Sequence, residues 1–281
     1  MLSDLNLDPA RLLAPFDSSI PGSLRSVGER LLLQSRSLTR HSYSTNRFLG
    51  GGSPKTDSIL RTIAVGESCV LHFEARSDAL ARYSAQHGLM LAIDKDATLA
   101  VELVRSGLSE IIRPLDCLFS AVSELAWRCH IVYAQDEDYD VSFSDPAIPF
   151  SVFISASIRN DRRSVLRVAE SLVHETMHLQ LTLFESCCPL VDAASSFSMY
   201  SPWKREERPA QGILHGLYVF HVLRWMWQQV SITSENELDR DFALRRIREI
   251  DQEVSSVRPL ENSGALTRYG QIFFDAIFAA C

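Results

Sequence analysis

Residues 174–178 read His174-Glu175-Thr176-Met177-His178, two histidines four apart with a glutamate after the first. On an α-helix that spacing stacks both imidazoles on one face, one turn apart, where they can clamp a divalent ion. The glutamate then stands beside any water the ion holds. The chemistry open to such a clamp is hydrolysis by a metal-activated water or oxidation at a redox-active ion. The flanking residues carry the pattern of a helix over 161–187. Asp161 is a candidate N-cap, and Val165, Leu166, Val168, Ala169, Leu172, Val173, Met177, Leu181 and Phe184 cover much of the circumference, so the helix is expected to be mostly buried. Ser171 leaves the face before His174 uncluttered, and Glu185 follows His178 by seven residues. The bland alternative is a pair of core histidines satisfied by hydrogen bonds. The motif's place on a buried helix favours the metal.

A third protein ligand has two candidates. The extended form HExxHxxGxxH fails, because Leu181 and Phe184 stand where its glycine and third histidine belong, which excludes the metzincin type of peptidase. His215, in Gly212-Ile213-Leu214-His215-Gly216, opens a later helix between glycines that permit close approach. Glu235, in an ExxxD arrangement with Asp239, is the carboxylate that a gluzincin-type zinc peptidase would use. Acids are also ordinary at a helix start. His221, six residues past His215, points elsewhere on its helix and reads as a core or surface histidine.

The segment Leu172-Val173-His174-Glu175 through His178-Leu179, then Tyr200-Ser201-Pro202-Trp203, Arg208-Pro209 and Gly212-Ile213-Leu214-His215-Gly216, resembles the HExxH peptide-modification proteins of bacterial ribosomal-peptide biosynthesis. The matching region covers roughly residues 140–225, and the order SPW, RP, LHG is more specific than HExxH alone. The resemblance implies an Fe(II)- and 2-oxoglutarate-dependent hydroxylase acting at Cβ of a peptide side chain, on a fold other than the double-stranded β-helix. It implies a ribosomal precursor peptide as substrate. His174, His178 and His215 would then be the iron ligands, with Glu175 as catalytic residue, ligand or orienting group. Arg208 is the candidate partner of the 2-oxoglutarate distal carboxylate, with Lys204 and Tyr200 behind it. Trp203 and Tyr200 are candidates for the substrate mouth. The alternative is a zinc metallopeptidase with Glu175 as general base. One departure from the family pattern is Phe150, where a glycine is expected after the proline ahead of Val152-Phe153-Ile154.

The elements that must hold this site read as mainly α with a few short strands. Helix is expected at Leu24 to Leu33, through most of 59–113, from 115 into a short strand ending near 135, at 210–230, at 235–257 and at 266–280. Ser234-Glu235-Asn236-Glu237 has capping-box spacing before one of these helices. Val152-Phe153-Ile154 is a candidate strand. Residues 41–58, with Gly50-Gly51-Gly52, and 195–209 read as loops. No GK[ST] follows the triple glycine, so it is a lid or connector rather than a phosphate cradle. The division expected is an N-terminal helical segment and glycine-rich loop (1–58) joined to a catalytic domain (59–281) in one compact unit.

The 281 residues carry a net charge of −7, which argues against a general nucleic-acid binder. Lys55, Lys95 and Lys204 are the only lysines, so arginine supplies most of the positive charge. Six cysteines occur without a CxxC, and neither a signal peptide nor an apolar run of membrane length is evident. The expectation is a cytoplasmic protein with reduced thiols and no membrane partner. A homodimer is left open.

Overall fold

The computed structural model describes residues 19–38, 61–65, 69–73, 83–92, 94–133, 141–145, 150–155, 159 and 161–279. The glycine-rich stretch at 41–58 lies outside the described residues. The architecture is mainly helical with a few short strands, and no strand set closes into a barrel among the described residues.

Five strands form one mixed sheet: β1 (Arg61–Val65), β2 (Cys69–Phe73), β3 (Arg128–Val132), β4 (Ser142–Ser144) and β5 (Ser151–Ser155), in the order β1-β2-β3-β5-β4. β1 and β2 form an antiparallel pair, β2, β3 and β5 run parallel, and β4 returns antiparallel on β5. The β1–β2 pair corrects the helix expected from residue 59. β-branched Thr62, Ile63, Val65 and Val70 favour the extended chain over a helix. Helix comes with α1 (Ser19–Leu38) before the sheet and, after β2, with a short helical turn at 83–86 and α2 (Asp94–Ser106), the latter running on through a π-helical turn, Gly107–Ile112. α3 (Asp116–Leu125) leads into β3.

The HExxH helix is α4 (Arg162–Glu185). Asp161 caps it as expected, its side chain accepting the Ser164 amide at 2.8 Å. Its buried face meets β4 and β5, α1, α2 and α3. One apolar core joins Leu24 and Val27 of α1, Leu118 and Leu125 of α3, Val152 and Ile154 of β5 and Leu166, Ala169, Leu172 and Val173 of α4. Each buried Val, Leu or Ile of this set contributes roughly 1.5–3 kcal/mol by leaving water.

The segment 195–209 is not a plain loop. It holds a second antiparallel hairpin, β6 (Ser198–Ser201) and β7 (Glu206–Pro209), with Tyr200 opposite Glu207 and Met199 opposite Arg208. Its side chains are mostly polar and exposed, so no apolar alternation announced it. β7 runs directly into α5 (Ala210–Thr233), followed by α6 (Glu237–Ser256) and α7 (Arg268–Ala279). α4 and α5 are antiparallel, with Gln180 bonded to Tyr218 at 2.8 Å and Glu170 to Trp227 at 2.9 Å. The expected capping box at Ser234 is displaced. Asn236 caps α6 through the Leu238 amide, while the Ser234 hydroxyl donates to Asp239.

Phe150, the departure from the family pattern, has φ +65, a left-handed conformation that favours glycine. Packing holds it there. Its ring stacks on Trp127 at 4.0 Å, and its carbonyl accepts the amides of Trp127 and Arg128 at 3.0 Å. Gly28 of α1 leaves room for the ring, since a Cβ at 28 would stand 2.4 Å from Phe150 Cζ. Among the described residues no helix is long and apolar enough to cross a membrane. Cys117, Cys129, Cys187 and Cys188 are free thiols.

Candidate metal centre

Three of the predicted histidines come together. His174 and His178 lie one turn apart on α4, with their Nε2 atoms 3.2 Å from each other. Two imidazole nitrogens sharing one ion at metal–nitrogen bonds of about 2.0–2.1 Å stand roughly 3.0–3.4 Å apart, so this pair fits a clamp. His215, on the second turn of α5, brings its Nδ1 to 3.5 Å from Nδ1 of His178. Its Nε2 lies 2.6 Å from Oε2 of Glu185, the last residue of α4. Gln211 donates to that same carboxylate oxygen at 3.1 Å.

The antiparallel packing of α4 and α5 makes this meeting. Glu185 lies two turns beyond His178 on the same face, where the start of α5 passes. A carboxylate holding the proton on His215 Nε2 leaves the Nδ1 lone pair turned toward the clamp, the usual way a metal-ligating imidazole is oriented. The three rings form a chain rather than a finished cage. His178 shows Nε2 to His174 and Nδ1 to His215, and among the described residues no three metal-ligating side chains converge on one point.

Burial sets the protonation. It pushes His174 down to about 3, with the charges of Lys204 and Arg246 adding to the effect. It also holds His178 well below the usual histidine range, helped by the neighbouring imidazoles and Lys204. Both rings are therefore neutral and have lone pairs to offer. Glu175 is buried, and that burial pushes its carboxyl up to about 7 against the hydroxyls of Ser142 and Ser144 on β4 and the charge of Lys204. Its Oε1 lies 3.8 Å from His174 Nε2.

The turn between β6 and β7 explains why SPW and LHG occur together. Trp203 packs flat on Gly216, where a Cβ would meet the indole at 2.4 Å. The indole stacks on Phe220 at 5.1 Å with ring planes 4° apart, and Phe220 stands edge-on to His174 at 5.5 Å. The glycine after the histidine admits the tryptophan, which leads into Lys204, an exposed residue of the same turn whose charge is felt at His174, His178 and Glu175. Arg208 has another role. It lies along Gly212 and pairs with Glu206 at 3.1 Å, with almost half its side chain exposed. Tyr200 is exposed on β6. Glu235 is exposed past the far end of α5, some 27 Å of helix from His215 at 1.5 Å per residue. Asp239 is committed to Arg162. His221 is buried on α5, and that burial lowers it to about 4 with the help of Arg224.

Glu185, Phe220, Ser142 and Ser144 were not legible as site residues. The seven-residue interval from His178 to Glu185 was the one available signal, and it acquires meaning only once α5 is known to lie antiparallel there. No protein-family model matches the chain, and no curated protein is detectably similar to it.

Proposed function

We propose that the chain is an Fe(II)- and 2-oxoglutarate-dependent oxygenase that hydroxylates Cβ of a side chain in a ribosomally made peptide. The observation that carries this reading is the His174–His178–His215 cluster with Glu185 behind His215. A face of histidines with open positions opposite suits non-haem iron. His174 and His178 would hold the ion through Nε2 and His215 through Nδ1. When bound, iron(II) and 2-oxoglutarate supply the oxidant: dioxygen gives one oxygen atom to the C–H bond and the other to succinate, with loss of CO₂.

The chain's own residues bind and position. Glu185 keeps the His215 proton on Nε2. Lys204, exposed on the β6–β7 turn and with its charge felt at His174, His178 and Glu175, is a candidate for the distal carboxylate of 2-oxoglutarate. Arg208, half-exposed on β7 in a surface pair with Glu206, is the other. Phe220 packs edge-on against His174, and Trp203 stacks on Phe220.

A zinc metallopeptidase is the second reading. It draws on Glu175, whose carboxylate is within 3.8 Å of His174 Nε2, the position of a general base for a zinc-bound water. Anaerobic addition of Fe(II) and 2-oxoglutarate separates the two. The oxygenase gives a visible metal-to-ligand charge-transfer band, and its absence in correctly metallated protein overturns the first reading. Peptide cleavage by the zinc form, lost in Glu175→Gln, would establish the second.

A further inference from the structure

A pocket of about 330 Å³ lies beside the clamp, and Ser171, His174 and Phe220 stand together in its wall. Ser171 precedes His174 by three residues on α4. On a helix that interval makes the two side chains neighbours, with Cβ atoms about 5–6 Å apart. Helical side chains also lean toward the N-terminus, so the His174 ring covers the turn that holds Ser171. The hydroxyl is therefore within one small ligand's length of an ion at the clamp.

Other helical hydroxyls of this chain bond back to the preceding turn. Thr176, also on α4, donates to the Leu172 carbonyl at 2.7 Å, Ser123 to Phe119 at 2.6 Å and Ser109 to Arg105 at 2.8 Å. Ser171 makes no such bond. The residue is only 6% exposed, yet among the described residues its hydroxyl has no hydrogen-bond partner. Nor is that hydroxyl sealed in the core, as the unpartnered hydroxyl of Ser84 is, so it meets the space of the pocket. The carboxylates around it are already engaged. Glu170 takes Arg246 at 2.7 Å and the Trp227 indole at 2.9 Å, and Glu175 takes the hydroxyls of Ser142 and Ser144. A nearly buried hydroxyl left in this state costs free energy until a ligand completes it.

We propose that Ser171 is a ligand-binding residue, its hydroxyl donating to an oxygen of the anionic ligand that fills the open positions of the ion on the pocket side. In the oxygenase that ligand is the oxo-acid end of 2-oxoglutarate, and Ser171 orients it against His174 and Phe220. The contact rests on the histidine metal centre of that reading and not on the oxidation that follows.

The test loads the full chain with Co(II), whose visible absorption reports its ligands, and titrates it with acetohydroxamate, a two-oxygen ligand for open metal positions. Acetohydroxamate is expected to shift the Co(II) spectrum. Ser171→Ala is expected to weaken its binding about ten-fold, the scale of one hydrogen bond to a charged oxygen. Co(II) affinity, measured by chelator competition, stays at the parent's value. Alanine favours a helix and removes a single oxygen, so the variant folds, and thermal melts check this. Unchanged acetohydroxamate affinity in the variant overturns the proposal. So does a Co(II) affinity that falls in step, since that makes Ser171 a support of the ion itself. A parent spectrum that acetohydroxamate leaves unaltered overturns it as well. The Fe(II)–2-oxoglutarate band keeps the two readings apart. Acetohydroxamate binding that depends on Ser171, without that band, removes the oxygenase reading alone. The band with equal acetohydroxamate affinities in parent and variant removes the hydroxyl contact alone.

Discussion

Glu185 gives His215 its part in the centre, because a lone imidazole on α5 has no fixed tautomer and the 2.6 Å contact to a carboxylate imposes one. Glu185→Gln is expected to weaken metal binding about 10- to 100-fold in a chelator competition, with the fold unchanged. An unaltered affinity would detach Glu185 from the site. His215→Ala should lose still more, and full iron binding in that variant would remove the third ligand. Lys204 and Arg208 are told apart by the 2-oxoglutarate requirement. Lys204→Ala should raise the half-saturating concentration about ten-fold, the scale of one lost charge-assisted contact, while Arg208→Ala leaves it nearly constant. The reverse pattern would return the carboxylate to Arg208. At this scale the sequence picked out three histidines that the structure sets side by side and was poor about their neighbours. HExxH spacing is fixed by one helix, whereas Ser142 and Ser144 come from β4 and Glu185, on the same helix, meets His215 only because α5 packs antiparallel there.

The β6–β7 hairpin is the element through which the SPW turn reaches the histidine helix, and its seat is Gly216. Gly216→Ala would drive a methyl into the Trp203 ring, which Phe220 backs on its own stacking face. Overpacking of this kind costs about 1–3 kcal/mol. The more telling effect is displacement of Lys204, seen as a raised 2-oxoglutarate requirement at temperatures where the protein is fully folded. Normal binding of 2-oxoglutarate would show that the turn does not position the cation. Gly28→Ala on α1 makes a matched control. It meets the Phe150 ring, already held on Trp127 in a left-handed turn, so it should lower stability by a similar amount without altering cosubstrate binding. The helices themselves were legible, since α4 and α5 announce themselves by long apolar runs and α4 by its cap. The two hairpins were not. β1–β2 sits within a stretch whose apolar spacing also suits a helix, and β6–β7 is polar on its exposed side.

Across the whole molecule, Arg162 ties three elements together. It pairs with both oxygens of Asp239 on α6 at 2.7 Å, bonds Glu110 in the π-helical turn and itself starts α4. No sequence pattern foretold this knot or the β1-β2-β3-β5-β4 order, because both join residues distant in the chain through packing alone. Asp239 is almost completely buried. Burial alone would raise its pKa, but the Arg162 guanidinium and the Ser234 hydroxyl outweigh that and hold it below the usual carboxylate value. A carboxyl depressed in the folded state stabilises fully above its unfolded pKa of about 3.9, and loses that contribution as pH falls through the folded value. Asp239→Asn should therefore cost roughly 2–4 kcal/mol at neutral pH, trimmed from the cost of breaking a fully buried pair because solvent reaches part of Arg162. The gap between the urea midpoints of the parent and the variant should narrow below about pH 4, as the parent's own Asp239 takes up a proton. A gap that stays constant from pH 7 to pH 3 would mean that the charge on Asp239 contributes nothing and that hydrogen bonding available to an amide holds α4 and α6 together.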